Sequence, residues 1–220
     1  MKNEKFTDPE ILRLIEGYKK FKTKHFEDTK IFDGLIKHGQ RPKILVIACC
    51  DSRVDPAIVT GCKAGELFVV RNIANLVPPF EGDSTHHSTS AALEFGVLEL
   101  GVSNIIIFGH SHCGGISSLM KNTKDENKSD FIDAWMDIAE PAKQRVLTRY
   151  PKSSLDEQKH QCEKESLLTS LKNLKTFPWI NERVLAKRLF LHAWYFDLRS
   201  GTIKTYQSTS GKFIPLESEN

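Results

Sequence analysis

Three residues of the chain combine types and positions that suit a metal centre. Cys49 directly follows the apolar run 44–48, and His110 and Cys113 come just after the apolar run 104–108. Two thiolates and one imidazole form a ligand set that suits zinc. A set of three protein ligands leaves the fourth tetrahedral position open, as catalytic zinc sites do. The residues therefore predict a catalytic zinc site with one Zn²⁺ per chain.

Spacing by itself leaves another interpretation open, because cysteine is also a common small residue of protein cores. Cys50 follows Cys49 in an extended stretch, so its side chain should point elsewhere. The adjacent pair also lacks the Cys-x-x-Cys spacing of redox sites. Cys62 and Cys162 have no partner at a recognisable spacing. An odd total of five cysteines argues against a disulfide framework and favours a reducing compartment.

The elements that must position these residues form an alternating pattern. Short apolar runs typical of strands buried on both faces occur at 44–48, 67–70, 104–108 and 189–195. Helical periodicity is expected at 9–38, 88–100, about 131–148, about 155–175 and about 179–188. Alternation of strands with helices indicates a parallel sheet. The carboxyl ends of parallel strands share one edge, so Cys49 can meet His110 and Cys113 there.

The fold class predicted is therefore α/β, with a mostly parallel central sheet flanked by helices and a helical N-terminal arm. We expect a single domain over 1–220, with the arm at about 1–40 and an α/β zinc-binding core at about 41–220. The polar stretch 121–130 is expected to be a loop, and 202–206 to form a hairpin edge. A hydrophobic fraction of 40% and a charged fraction of 27% are typical of a globular protein.

Composition also excludes some partners. The formal net charge of +3, from 31 basic and 28 acidic residues, is too balanced to favour nucleic acid. No run approaches the roughly 18 apolar residues that a membrane span needs. The lysines of residues 1–6 are not followed by the apolar stretch of a secretory signal. We therefore expect a cytoplasmic protein that binds neither nucleic acid nor membrane.

Two motifs resemble signatures of the β-class carbonic anhydrases. Residues 49–53 read Cys-Cys-Asp-Ser-Arg and resemble the family's Cys-x-Asp-Ser-Arg, and residues 110–115 resemble its His-x-x-Cys-Gly-Gly. The block 65–76 is similar to the family's intervening segment. The resemblance implies reversible hydration of carbon dioxide to bicarbonate and a proton, by attack of zinc-bound hydroxide. It also implies a homodimer or homotetramer in which N-terminal arms cross the partner.

The same resemblance implies catalytic roles for Asp51 and Arg53. Asp51 would accept a hydrogen bond from metal-bound water and orient it towards carbon dioxide. The planar fork of Arg53 can hold that carboxylate through two charge-assisted bonds and keep it off the metal. An ordinary ion pair within the loop is the plainer alternative. Two thiolates leave a zinc site near zero formal charge, so its water should be less acidic than at a three-histidine site.

Substrate-binding positions follow from the resemblance as well. Gln40 matches a glutamine that donates a hydrogen bond to substrate, and Phe68, Ile73 and Phe95 match apolar pocket positions. Phe95 stands where plant-type enzymes usually carry tyrosine, and plain core packing is its alternative interpretation. Gly114 would allow close approach of the backbone to the metal and present an N–H to an anion.

The segment before Cys49 resembles the plant-type, ungated subclass. Gated bacterial relatives carry a tryptophan three residues before the first cysteine ligand and a glycine immediately before it, where this chain has Val46 and Ala48. The resemblance implies that Asp51 pairs with Arg53 instead of capping the metal. Two rival functions remain open: an enzyme acting on carbon disulfide or carbonyl sulfide, and a zinc protein without enzyme activity.

Overall fold

The N-terminal part of the chain is helical, as predicted. The computed structural model describes residues 8–28, 31–83, 85–121 and 131–216. Contacts within the chain divide it into two units, Met1–Arg41 and Pro42–Asn220. The first unit contains α1 (Pro9–Lys22), a π-helical turn (Thr23–Asp28) and α2 (Ile31–His38). Asp8 caps the N-terminus of α1, because its carboxylate accepts two backbone N–H groups that have no intrahelical partner.

A sheet forms the centre of the second unit. Within the described residues it has six strands in the spatial order β2-β1-β3-β4-β5-β6. The strands are β1 (Ile44–Cys49), β2 (Leu67–Asn72), β3 (Asn104–His110), β4 (Phe190–Phe196), β5 (Ile203–Gln207) and β6 (Lys212–Pro215). The first four run parallel, and β5 and β6 are antiparallel to their neighbours. The prediction of a mostly parallel central sheet is confirmed.

Helices connect and flank the strands. They are α3 (Pro56–Thr60), α4 (Ser88–Glu94), α5 (Gly114–Lys121), α6 (Ile132–Met136), α7 (Glu140–Arg149), α8 (Leu155–Leu174) and α9 (Pro178–Leu185). A π-helical turn, Phe95–Glu99, continues α4. Most of the predicted loop 121–130 lies outside the described residues. In the described part of the chain, no helix is both long and apolar enough to cross a membrane.

The two central strands are buried on both faces, which explains their uninterrupted apolar sequences. Leu45 and Ile47 of β1 pack in one core cluster, whereas Val46 and Ala48 pack in another. β1 and β3 are paired in register, with Ala48 opposite Phe108. The two strands therefore end at the same edge of the sheet, which positions the residues that follow them.

Two strand predictions need correction. β2 is an edge strand and is only half-buried, with Val69 39% exposed, because it has a neighbour on one side. The hairpin strand β5 is not an edge, since β6 pairs outside it. The four-residue strand β6 was missed because a run that short carries almost no periodicity.

Candidate active site

The fold brings Cys49, His110 and Cys113 together. Cys49 ends β1, His110 ends β3, and Cys113 immediately precedes α5. The two sulfurs and a ring nitrogen of His110 all lie within 4.8 Å of one another. All three residues are buried, with relative exposures of 5%, 1% and 2%. Cys49 and His110, which are 61 residues apart in the sequence, thus join Cys113 in one compact set of metal-binding atoms.

The state of His110 shows that this cluster fits a metal ion. Its Nδ1 lies 2.9 Å from the carbonyl oxygen of Ser111, which can only accept, so Nδ1 carries the proton. In the neutral ring, Nε2 then carries the lone pair that can bind a metal ion. Nε2 is buried and has no hydrogen-bond partner among the described residues. Buried polar atoms are almost always satisfied, and zinc would satisfy this one.

The two cysteine thiols affect each other's ionisation. A hydrogen bond from the Cys113 thiol holds the pKa of Cys49 below its ordinary value. The same contact, together with burial, raises the pKa of Cys113 above its ordinary value. The cluster therefore favours one thiolate even when empty. A divalent cation would displace the remaining proton, because thiolate is the form that binds metals.

Asp51 and Arg53 lie beside the cluster as a bidentate ion pair. Arg53 donates from Nε to Asp51 Oδ1 at 2.9 Å and from Nη2 to Oδ2 at 2.7 Å. The backbone N–H of Arg53 also donates to Oδ1, at 3.0 Å. Hydrogen bonding from Arg53 holds the pKa of Asp51 well below its ordinary value. Asp51 Oδ2 lies 3.9 Å from His110 Nε2, so an ionised carboxylate borders the cluster.

Arg71 organises the backbone of the loop that follows β1, a role that sequence reasoning missed. Its guanidinium donates to the carbonyl oxygens of Cys49 at 2.9 Å, Asp51 at 2.7 Å and Val54 at 3.1 Å. It also donates to a carboxylate oxygen of Asp55 at 3.1 Å. The available signal was a single cation at the end of an otherwise apolar strand, since such a charge needs designated acceptors.

The loop after β3 is held from several sides. The N–H of Ser111 donates to the carbonyl of Phe196 at 2.9 Å, and the Ser111 hydroxyl accepts the N–H of Leu198 at 2.9 Å. Arg53 Nη2 donates to the carbonyl of His112 at 3.1 Å, which joins this loop to the one after β1. His112 adopts a left-handed conformation with φ of 58°. These contacts fix the turn that places Cys113.

Of the predicted substrate-binding positions, Ile73 lies beside the cysteines. It packs against the core cluster that contains Cys49 and Cys113. A Cβ atom built on Gly115 would lie 2.9 Å from Ile73 Cγ2, so the close approach requires glycine at 115. A Cβ on Gly114 would meet no atom within 4 Å. Gly115 is therefore required for packing against Ile73, and the substrate-binding role of Gly114 stays a prediction.

Two other predicted pocket positions, Phe68 and Phe95, pack in a different part of the second unit. Phe68 and Phe95 contact each other, with ring centroids 6.0 Å apart. Phe95 is 45% exposed and Phe68 packs against the core cluster of Leu45, so plain core packing does not describe Phe95. Phe68 is therefore not part of the core cluster that contains Cys49 and Cys113. Gln40 is exposed in the N-terminal unit.

An open cavity of about 660 Å³ lies next to the loop after β1. Cys50, Ile73 and Trp135 contribute to its lining, and the Trp135 indole donates to the carbonyl of Ile73 at 2.8 Å. Phe68 and Phe95 do not line it. Cys50 is exposed and faces this cavity, as expected for a side chain directed away from that of Cys49.

Comparisons with known proteins agree with this geometry. The family described as carbonic anhydrase matches residues 44–203. Beta carbonic anhydrase 3 of Arabidopsis thaliana is 39% identical over 200 residues, which cover 90% of this chain and 77% of that protein. The structure of the β-carbonic anhydrase CcaA superposes with a TM-score of 0.89, at 33% identity, over 96% of this chain and 94% of that one.

A further similar structure comes from work on two tetrameric β-carbonic anhydrases of the ascomycete Sordaria macrospora. It has a TM-score of 0.76 at 28% identity and covers 88% of this chain and 94% of that one. The family match spans most of the chain and contains the whole cysteine–histidine cluster with Asp51 and Arg53. The chain therefore belongs to the β-class carbonic anhydrases, the enzymes that interconvert carbon dioxide and bicarbonate.

Proposed function

We propose that the chain hydrates carbon dioxide reversibly to bicarbonate and a proton, with one zinc ion held by Cys49, His110 and Cys113. The observation that carries this proposal is that His110 Nε2 is buried without a hydrogen-bond partner among the described residues, in a group with two cysteine sulfurs. Bound zinc supplies the Lewis acidity that makes water a nucleophile near neutral pH. Three protein ligands suit a catalytic site better than a closed structural one.

Asp51 is proposed to orient the attacking water. Its carboxylate borders the cluster, and its low pKa keeps it ionised and able to accept a hydrogen bond. Accepting that bond aligns the oxygen lone pair of the water with the carbon of carbon dioxide. Arg53 occupies both carboxylate oxygens and so opposes rotation of Asp51 towards the sulfurs. This arrangement supports the ungated, plant-type behaviour.

Substrate contacts are proposed from the family resemblance and from packing. Ile73 is placed to form an apolar wall near the cysteines, which suits carbon dioxide because that molecule has no net dipole. Gln40, Phe68, Phe95 and Gly114 remain proposed substrate-binding residues. Phe68 and Phe95 pack outside the cluster of Cys49 and Cys113 within the second unit, which is consistent with a site completed in an oligomer.

We propose a homodimer or homotetramer in the cytoplasm. The related Sordaria macrospora enzymes are tetrameric by description. Apolar side chains of the arm, including Leu14 at 60% and Tyr18 at 62% exposure, would be covered in such an assembly. The described cysteines are all free, which suits a reducing compartment.

The proposal is tested by measuring zinc content and carbon dioxide hydration on the same purified protein. We expect about one zinc per chain and rapid hydration in a stopped-flow assay with a pH indicator. Cys113→Ala should lose both zinc and activity. Cys62→Ala is the matched control and should keep both, because Cys62 lies outside the cluster.

Full zinc occupancy in Cys113→Ala would contradict the ligand assignment. A zinc-loaded wild-type protein that fails to hydrate carbon dioxide would contradict the proposed reaction. Conversion of carbonyl sulfide by that same protein would then support the rival substrate class. Zinc binding without either activity would support a role as a zinc protein that is not an enzyme.

A further inference from the structure

A buried carboxylate on α8, that of Glu163, contacts the backbone of the cysteine–histidine cluster. Glu163 is 6% exposed. Its Oε1 accepts the backbone N–H of Cys113 at 3.1 Å, and its Oε2 accepts the hydroxyl of Tyr195 at 2.7 Å. Burying a carboxylate is costly unless it is hydrogen-bonded. Cys162 and Leu167, which are also buried on this helix, have uncharged side chains. Packing of the helix therefore does not by itself explain a charged residue at position 163.

The amide that Glu163 binds belongs to Cys113, the residue immediately before α5. The first N–H groups of a helix have no intrahelical acceptor. At this helix the backbone N–H of Ser117 donates to the carbonyl oxygen of Cys113 at 2.9 Å. The N–H of Cys113 itself is taken by Glu163. Cys113 is therefore held at both its backbone N–H and its carbonyl, which limits the directions that its sulfur can take.

Tyr195 in turn fixes the carboxylate. It is fully buried in β4 and is paired with Gly109 of β3, next to His110. Its hydroxyl also lies 2.9 Å from Nδ1 of His160. The network thus connects α8 to the strand end that carries His110, and it leaves both oxygens of Glu163 with a donor. Fully satisfied buried networks of this kind rigidify what they contact.

We propose that Glu163 is a positioning residue for the metal: it acts through the backbone of Cys113, and Tyr195 holds its carboxylate in place. The inference rests on the proposed function, because it requires zinc on Cys113. Glu163 touches neither substrate nor zinc in this role. Replacing a residue that supports a metal ligand typically lowers metal affinity or activity by about 10- to 100-fold.

The test compares Glu163→Leu, which removes the acceptor, with Glu163→Gln, whose amide oxygen can still accept the Cys113 N–H. Two readouts are used: the rate at which a competing chelator removes zinc from the purified protein, and the absorption bands of protein with Co²⁺ in place of zinc. Glu163→Leu should retain zinc about 10- to 100-fold less well and show altered thiolate-to-cobalt bands. Glu163→Gln should restore both towards wild type.

Glu165→Gln is the matched control on the same helix. The Glu165 carboxylate bonds to Arg145 and Arg149, and its loss should leave zinc retention and the cobalt bands unchanged. Unchanged readouts in Glu163→Leu would overturn the inference, as would equal losses in the Glu165→Gln control. If Glu163→Leu does not fold, Tyr195→Phe is measured instead, because it removes the hydroxyl that holds the Glu163 carboxylate in place. Altered cobalt bands in Tyr195→Phe support the inference, and unaltered bands overturn it.

A wild-type protein that binds no zinc would contradict the proposed function itself. That outcome is distinct from a wild-type protein that binds zinc while Glu163→Leu behaves identically, which contradicts this inference and leaves the proposed function standing.

Discussion

The loops that follow β1 and β3 deliver the same kind of residue in different ways. The loop 50–55 is held mainly by two arginines, and the Arg53 side chain is 53% exposed. The loop 111–113 is held by backbone hydrogen bonds and by the buried Glu163. Exposed charge pairs are weak and adjustable, whereas buried satisfied networks are rigid. The loop 111–113 is therefore expected to be the more rigid of the two and the loop 50–55 the more adjustable.

Zinc removal should have the largest effect and should separate the two loops. We expect complete loss of hydration and a lower unfolding temperature, because metal binding stabilises the folded state. Amide hydrogen exchange should accelerate more at 50–55 than at 111–113, since the second loop keeps its own hydrogen bonds. Mass-spectrometric exchange on zinc-loaded and chelator-treated protein measures this. A larger acceleration at 111–113 than at 50–55 would show that the loop after β3 is the less rigid of the two.

Arg53→Ala should come next, with hydration reduced about 100-fold while zinc stays bound. The physical reason is that Asp51 loses the partner that occupies both of its oxygens. The measurement is stopped-flow hydration together with metal analysis. Arg188→Ala, which removes a surface ion pair with Glu182, is the control and should leave hydration unchanged. Wild-type activity in Arg53→Ala would show that the ion pair of Asp51 and Arg53 is not needed for hydration.

Much of this centre could be predicted from the sequence because the central strands are buried on both faces. Such strands have continuous apolar sequences, and their common edge follows from parallel pairing. Cys49 and His110 lie directly at those strand ends, so their meeting required no knowledge of side-chain packing.

Arg71 and Glu163 could not be predicted, because their partners depend on register and helix rotation. Arg71 reaches the loop after β1 because it stands opposite Ala48 in the sheet. Glu163 is 50 residues from Cys113, and a turn of α8 by one position would direct it elsewhere. A local pattern contains no information on either alignment.

Arg71→Ala tests how far the first loop depends on its second arginine. It removes four hydrogen bonds, three of them to backbone carbonyls, and should lower the free energy of unfolding by about 2 kcal/mol. Hydration should fall less than in Arg53→Ala, because Asp51 keeps its ion pair. Urea unfolding of the zinc-loaded protein gives the first quantity. Arg71→Lys should recover little, since an ammonium lacks the planar fork.

The smallest expected effect separates two adjacent glycines. A Cβ on Gly115 would lie 2.9 Å from Ile73 Cγ2 and 3.2 Å from Met136 Sδ, whereas one on Gly114 would meet nothing. Gly115→Ala should therefore destabilise the protein by about 1–3 kcal/mol through overpacking, in spite of the better helix propensity of alanine. Gly114→Ala should be neutral or stabilise it by up to about 1 kcal/mol.

Activity distinguishes packing from substrate contact at these two positions. Gly115→Ala should reduce hydration because it displaces Ile73, the apolar residue packed beside the cysteines. Gly114→Ala should leave the KM for carbon dioxide unchanged if Gly114 contributes only its backbone, since the new methyl group enters open space. Both variants need urea unfolding and stopped-flow kinetics on the same preparation. A stable Gly114→Ala protein with a raised KM would show that substrate approaches this position within the reach of a methyl group.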